Sequence, residues 1–275
     1  MLLFEILKAL LFGVIEGVTE WLPISSTGHM IILDSLMPLE VSREFYELFS
    51  VVIQLGAIMA VAVKYFQRLS PFTKRRELKV ENLHLLKLTV MGVIPSAVMG
   101  LLLDDLLDKY LYNPYTVAAM LALYGVGFIV VERWRAERPP SLERVEAITL
   151  PLALKIGAFQ VLSLIPGTSR SGATILGGMM LGLSREAATE FSFFLALPTM
   201  LGAGALKTVK YFAEGMRLSC SEIFLLLTGT LSAYCVSIMA IEFLTDYVKK
   251  HSFVSFAVYR ICLGIAVMLY FLLLQ

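Results

Sequence analysis

Charge is scarce in this sequence. Asp, Glu, Lys and Arg make up 16% of its 275 residues, where a soluble domain carries roughly a quarter. A net basic excess is also missing: the formal charge is +1, which argues against nucleic acid as a partner because nothing is left over to pair with a phosphate backbone. Cysteine is nearly absent, and two of the three, Cys235 and Cys262, lie inside apolar runs, with no CxxC or zinc-like spacing. A disulfide framework and a structural metal centre are therefore not expected. The first apolar run, "MLLFEILKALLFGVIEGVTEW", lacks a basic stretch ahead of it. Glu5 interrupts it, and Glu16 and Glu20 stand where a signal peptide needs small residues, so the segment is read as mature structure.

What the chain has in abundance is apolar surface: 58% of its residues are hydrophobic and the mean hydropathy is +0.78. Runs near the length that spans a bilayer recur along it, which makes it an integral membrane protein built from helices. Hydropathy with Pro and Gly as breakers predicts ten helical segments. In the first half they run over 2–22, 28–37, 44–66, 86–107 and 114–133; in the second, over 147–165, 171–182, 186–211, 221–245 and 252–274. In each half the first segment runs into a Pro/Ser/Gly/Thr break, and the segment after the break is too short to cross. Irregular backbone at membrane depth survives only inside protein or beside a cavity, so each pair is expected to form a re-entrant helix–loop–helix.

The halves resemble each other. "GVIEGVTEWLPISSTGHM" lies over "GAFQVLSLIPGTSRSGAT", with Gly13 over Gly157, Glu16 over Gln160, Ser25 over Ser169 and Gly28 over Gly172. Further on, "FSVVIQLG" parallels "FSFFLALP". Duplication is the economical explanation. The expected fold is an all-α membrane domain over 1–275, with repeats 1–135 and 147–275 joined by a basic loop 134–146. Each repeat holds one re-entrant pair and three crossings, six full spans in all. Three crossings per repeat is an odd number, so the second repeat is inverted, the ground plan on which broken helices meet near the midplane.

Basic residues orient the fold. Lys64, Arg68, Lys74, Arg75, Arg76, Lys79 and Lys87 fall in one connection, Arg133, Arg135, Arg138 and Arg144 in another, and Lys249 and Lys250 in a third. The opposite connections hold Arg43, Lys109, Lys207, Lys210 and Arg217 beside Asp34, Asp104, Asp105 and Asp108. The positive-inside rule puts the richer side in the cytoplasm. Both termini, and the mouth of the first re-entrant pair, are then expected outside.

The two breaks carry the chemistry. Glu16 and Glu20, at i,i+4, share a helix face. Carboxylates at membrane depth are costly and usually functional; these two could share a divalent cation with substrate oxygens, or one could act as acid or base, unless both are ordinary charges at the water interface. Ser25, Ser26 and Thr27 precede a short helix whose free N–H groups suit an anion, and could bind phosphate, supply a nucleophile or simply cap the helix. His29, after Gly28, could be acid, base, nucleophile or a packing residue. In "PGTSRSGAT", Arg170 follows Gly167 and sits among Thr168, Ser169, Ser171 and Thr174, where its planar fork suits a phosphate; a salt bridge to Glu16 or Glu20 is the structural alternative. Carboxylates, hydroxyls, a histidine and an arginine inside a bilayer suit a phosphate ester or anhydride of a lipid. A transporter or flippase of a lipid phosphate or small anion would use the same inverted-repeat plan. A phosphatidic-acid-type phosphatase would need a His shortly after the Ser-Arg, and none occurs between His84 and His251.

These two motifs, "EGVTEWLPISSTGHM" and "PGTSRSGAT", resemble the signatures of undecaprenyl-diphosphatases of the bacitracin-resistance (BacA/UppP) type, and the resemblance extends over essentially the whole chain. It implies hydrolysis of a C55-type polyprenyl diphosphate to the monophosphate and inorganic phosphate, recycling the carrier of cell-wall glycan assembly and conferring bacitracin resistance. It further implies a divalent cation, Mg2+ or Ca2+, an active site open to the outer face of the cell membrane, and a homodimer as a plausible assembly. By the resemblance, Glu16 and Glu20 hold the cation or orient water, and Arg170 clamps the diphosphate with Ser169, Ser171 and Thr174 assisting. Ser26 and His29 compete as the reactive group, with His29 the expected one.

Overall fold

The structure, a computed structural model, describes residues 2–72 and 76–273. Of the residues used above for orientation, Lys74 and Arg75 lie outside the described residues, as do the chain ends Met1, Leu274 and Gln275 and the side chains of Arg76, Asp104, Asp105 and Asp108. Helices dominate: α1 (Leu2–Thr19), α2 (Ser26–Leu36), α3 (Arg43–Lys64), α4 (Phe66–Leu69), α5 (Arg76–Leu111), α6 (Pro114–Ala136), α7 (Leu150–Val161), α8 (Arg170–Met180), α9 (Arg185–Ala213), α10 (Cys220–Lys250) and α11 (Val254–Leu273), with 3-10 turns at Val145–Ala147 and Leu162–Leu164.

Among the described residues six helices are long and apolar enough to cross a membrane: α3, α5 from Lys79 to Leu103, α6, α9, α10 and α11. They are the six spans expected. α2 and α8 have 11 residues each, about 16 Å at 1.5 Å per residue, half of a hydrocarbon core of about 30 Å. Large apolar side chains point outward along the spans, among them Leu101, Leu102, Leu231 and Met239. In water such a surface would aggregate; around a membrane domain it is the lipid-facing belt.

The boundaries differ from expectation in several places; α5 runs on to Leu111 and α10 to Lys250, rather than 107 and 245, so Lys249 and Lys250 stand on a helix. α1 stops at Thr19 rather than 22, because Pro23 lacks an N–H and pushes the residue before it out of the helical region; residues 20–24 form a turn. α5 begins at Arg76 rather than 86, because "RELKVENLHL" is polar yet made mostly of good helix formers, which hydropathy does not see. Lys79 and Lys87 therefore stand on a helix and not in a loop. The segment expected at 147–165 opens with a 3-10 turn, and its helix begins at Leu150 with a proline in its first turn. The short α4 was not anticipated.

Packing exchanges partners between the halves. α1 lies along α10, and α7, its counterpart, lies along α5; α6 packs on α11 and α3 on α9. Glycines make the first two contacts close. A Cβ on Gly13 would stand 2.2 Å from the Gly229 carbonyl oxygen, and one on Gly157, the matching residue, 1.8 Å from that of Gly92. Backbones touch at both places, the way small residues draw helices together where lipid offers no hydrophobic drive.

Beneath the breaks lies a core of fully buried aromatics, Phe12, Trp21, Phe45, Phe49, Phe191, Phe193 and Phe194. Ion pairs gather the basic residues at one end of the bundle: Arg68 bonds Glu146 and Glu190, Arg185 grips Glu132 from α6, and Lys64 lies 3.8 Å from Glu242. At the other end Lys207 and Arg43 share Glu47, and Lys8 pairs with Glu5 at 2.8 Å.

Candidate active site

The two breaks fold alike. Ser25 ends the first with φ 73°, and Ser169 ends the second with φ 73°. Each is a non-glycine residue in the left-handed region, a strain of about 1–3 kcal/mol that the surroundings must hold in place. Each reverses the chain into the short helix after it and caps that helix, Ser25 Oγ accepting from Gly28 N at 3.3 Å and Ser169 Oγ from Gly172 N at 3.1 Å. Capping, raised above as the plain role of these hydroxyls, is thus real for both; the O–H of Ser169 is engaged with Ser171 Oγ at 3.1 Å.

The tips meet through Glu20 and Arg170. Arg170 Nη2 donates to Glu20 Oε1 at 2.7 Å, with side chains 8% and 5% exposed. The structural alternative weighed for Arg170 is therefore present, and Glu20 is the partner. Glu20 Oε2 accepts from Ser26 Oγ at 2.7 Å. The other arm of the guanidinium, Nη1, donates to the Ser192 carbonyl at 2.8 Å, and the group lies 5.8 Å from the centre of the Trp21 ring. Thr174 donates to Ser192 Oγ at 2.7 Å, while Ser171 donates to the carbonyls of Glu20 and Leu22. Glu20, Ser26, Arg170, Ser171 and Thr174 are thus one network, drawn from parts of the chain 150 residues apart. Thr27 is half-buried in the first turn of α2, outside that network.

Several polar atoms here have no partner. Glu16 Oε1, Trp21 Nε1, Thr168 Oγ1 and Arg170 Nε are buried and unbonded, four of the six such side-chain atoms among the described residues. Orphaned polar atoms in a native interior call for an explanation; their gathering around one ion pair marks the place where a polar ligand or water completes them. Glu16 is 1% exposed. Two carboxylates and several hydroxyls are hard oxygen donors of the kind Mg2+ and Ca2+ take, and the free Glu16 oxygen fits such an ion. Among the described residues no group of three His, Cys, Asp or Glu comes together, so phosphate oxygens or water would have to complete the shell.

His29 stands beside this network. Its Nδ1 lies 2.7 Å from the Ser25 carbonyl and its Nε2 2.7 Å from the Tyr259 hydroxyl. Ser26 and His29 are three residues apart on α2 and so share a face.

Three residues escaped the sequence reading. Arg260, on α11, is 0% exposed and donates to Pro23 O on the first tip and to Gly167 O and Thr168 O on the second, each at 2.9 Å. One side chain therefore ties both tips together through their carbonyls. Its signal was available: an arginine inside the apolar span "VSFAVYRICLG". Gly167 allows the tie, since its φ is 90° and a Cβ there would stand 2.6 Å from Val117 O. Ser192 lies in the "EFSFFLALP" segment without a motif of its own, and Tyr259 reads as one more aromatic in a span. A cleft of about 840 Å³ lined by Arg68, Glu81, His84, Arg144, Glu146 and Glu190 among others contains none of the tip residues, and both of its arginines are already paired with carboxylates.

Comparison with known proteins agrees with the geometry. The family model described as bacitracin resistance protein BacA matches residues 9–266. The chain is 48% identical over 274 residues to the undecaprenyl-diphosphatase of Enterococcus faecalis, covering 99% of each. It is 50% identical to that of Streptococcus mutans, covering 98% of this chain and 97% of the relative. To that of Acetivibrio thermocellus it is 49% identical, covering 98% and 99%.

Proposed function

The chain belongs to the bacitracin resistance protein BacA family, and from that premise we propose how it works as an undecaprenyl-diphosphatase. It removes the terminal phosphate of undecaprenyl diphosphate, the substrate in its relatives' name, and so returns the lipid carrier to use and confers bacitracin resistance. The observation that carries the reading is the buried Glu20–Arg170 pair at 2.7 Å between two helix N-termini. A diphosphate takes the place of Glu20 on the guanidinium fork, and the free N–H groups opening α2 and α8 add to the anion cradle.

The Ser26–Glu20 contact at 2.7 Å supports Ser26 as nucleophile, in place of the expected His29, because a hydroxyl bonded to a carboxylate has its base already in position. Ser26 Oγ attacks the terminal phosphorus and its proton passes to Glu20 Oε2. The bond from phosphorus to the bridging oxygen breaks, and its electron pair leaves with the lipid monophosphate. Water then attacks the phosphoserine and gives a proton to His29 Nε2, on the same helix face. The bond from phosphorus to Oγ breaks, Ser26 regains its proton from Glu20, inorganic phosphate departs, and His29 gives up its proton to bulk water. Ser169, Ser171 and Thr174 donate to the phosphate oxygens, with Ser25, Thr27, Gly28 and Gly167 shaping the two tips around them. Glu16 and Glu20 would hold a divalent cation, which when bound supplies positive charge to the phosphate oxygens.

An apolar groove of about 180 Å³ between α2 and α11, lined by Ile32, Leu36, Leu263 and Val267 among others, begins one turn beyond His29 and Tyr259 and suits the first units of the isoprenoid tail. The distribution of Lys and Arg supports a site open to the outer face, with both termini outside. Every residue named comes from one copy of the chain, so the reading requires no dimer. Purified protein in detergent with Mg2+ or Ca2+ should release inorganic phosphate from undecaprenyl diphosphate. No release, combined with uptake of a lipid phosphate into vesicles, would instead establish the transporter alternative.

A further inference from the structure

The imidazole of His29 is held at both nitrogens, and the two partners are unequal. Ser25 O, 2.7 Å from Nδ1, is a carbonyl and can only accept, so the ring proton of neutral His29 is on Nδ1. Nε2 then carries the lone pair, and the Tyr259 hydroxyl at 2.7 Å must be its donor. The two rings lie nearly parallel, 5° apart with centres 5.7 Å from each other, so the phenol fixes the plane of the imidazole whose tautomer Ser25 O sets. Tyr259 is 45% exposed, and one turn further along α11 Leu263 lines the apolar groove. The hydroxyl thus stands between His29 and the direction from which a lipid would arrive. Its neighbour Arg260 anchors this part of α11 to both tips, so Tyr259 has no freedom to drift from the histidine.

We propose that Tyr259 is a positioning residue of the reaction: its donated hydrogen bond and parallel ring hold His29, whose tautomer Ser25 O sets, with Nε2 in place for the attacking water, which displaces the hydroxyl. The proposal rests on the reading of His29 as the base of the second step. Orienting a base by a hydrogen bond to its ring is a recurrent device, and the nitrogen that works is set by what the other nitrogen bonds.

Tyr259→Phe is the direct test, since it keeps the stacked ring and removes only the hydroxyl. Turnover of undecaprenyl diphosphate by the full chain in detergent should fall about tenfold in kcat, the worth of one hydrogen bond, while KM stays within about twofold. The ¹⁵N signals of the His29 ring, identified by their loss in His29→Asn, should show wild type protonated at Nδ1 at alkaline pH, and Tyr259→Phe still protonated there but with the Nε2 signal shifted by the loss of its donor. Tyr259→Leu, which loses the stack too, should fall further. Wild-type kcat with unchanged ring signals in Tyr259→Phe overturns the proposal, as does wild type protonated at Nε2. If His29→Asn turns over at the wild-type rate, the reading of His29 as base fails, and the ring signals of wild type against Tyr259→Phe then show separately whether Tyr259 donates to Nε2.

Discussion

Replacing Glu20 by Gln should make the protein bind a diphosphate more tightly while it stops turning over. In the free protein Glu20 holds Arg170 at 2.7 Å with both side chains almost wholly buried. Two unit charges about 4 Å apart attract by about 4 kcal/mol at an effective dielectric constant near 20, and a ligand that claims the guanidinium must first give up that attraction. Part returns when the phosphate replaces the carboxylate and when Glu20 keeps its bond from Ser26. If a third of the attraction stays lost, Glu20→Gln gains about tenfold in affinity, since about 1.4 kcal/mol is a factor of ten. Removing a negative charge beside the anion works in the same direction. The assay is calorimetric titration of a non-hydrolysable methylene-bridged diphosphate of a short isoprenoid into detergent-solubilised protein, with a chelator present so that loss of a cation ligand does not enter. Affinity equal to or weaker than wild type would refute the picture of Glu20 as the resting occupant of the arginine.

Arg260→Met should lower stability by at least about 3 kcal/mol, since the three tip carbonyls each lose a bond of about 1 kcal/mol and Met120 O and Leu121 O lose longer ones, and should lower turnover sharply as the tips part; thermal unfolding with a phosphate-release assay reads both. Gly157→Ala should prevent folding, because its Cβ would stand 1.8 Å from Gly92 O, whereas Gly202→Ala, with open space around it, should be silent; size-exclusion profiles of the two in detergent distinguish them. Ser26→Ala should retain the fold, bind the methylene-bridged analogue and release no phosphate, and residual release above a tenth of the wild-type rate would count against Ser26 as nucleophile.

Much of the architecture was legible because the bilayer imposes it. Six apolar runs of sufficient length could only be crossings, and two short helices behind Pro/Ser/Gly breaks could only dip and return. The end of α5 that begins at Arg76 was invisible to hydropathy for the opposite reason: its first turns leave the apolar layer, and helix formation there rests on residue preference rather than burial. Within the site, residue type singled out Glu16, Glu20, Ser26, His29 and Arg170, because charge and hydroxyls at membrane depth need a purpose, and the structure bonds Glu20, Ser26 and Arg170 to one another. Residue type did not reveal which carboxylate Arg170 would choose, since one turn separates them and the choice depends on how α8 docks. Tyr259 and Ser192 were beyond reach: the first meets its partner 230 residues away, and neither carries a charge to mark it. Arg260 is the instructive omission. It has no acid to pair with, and it is satisfied by carbonyls that a sequence leaves unmarked.

The account turns on a phosphoryl group passing through Ser26 before it reaches water. Incubating His29→Asn with undecaprenyl diphosphate labelled in its terminal phosphate, then mapping the label by peptide mass spectrometry, tests that claim most directly. The predicted result is lipid monophosphate released together with a phosphorylated Ser26 that persists. Free labelled phosphate with no label on the protein would contradict it and return the attack to water.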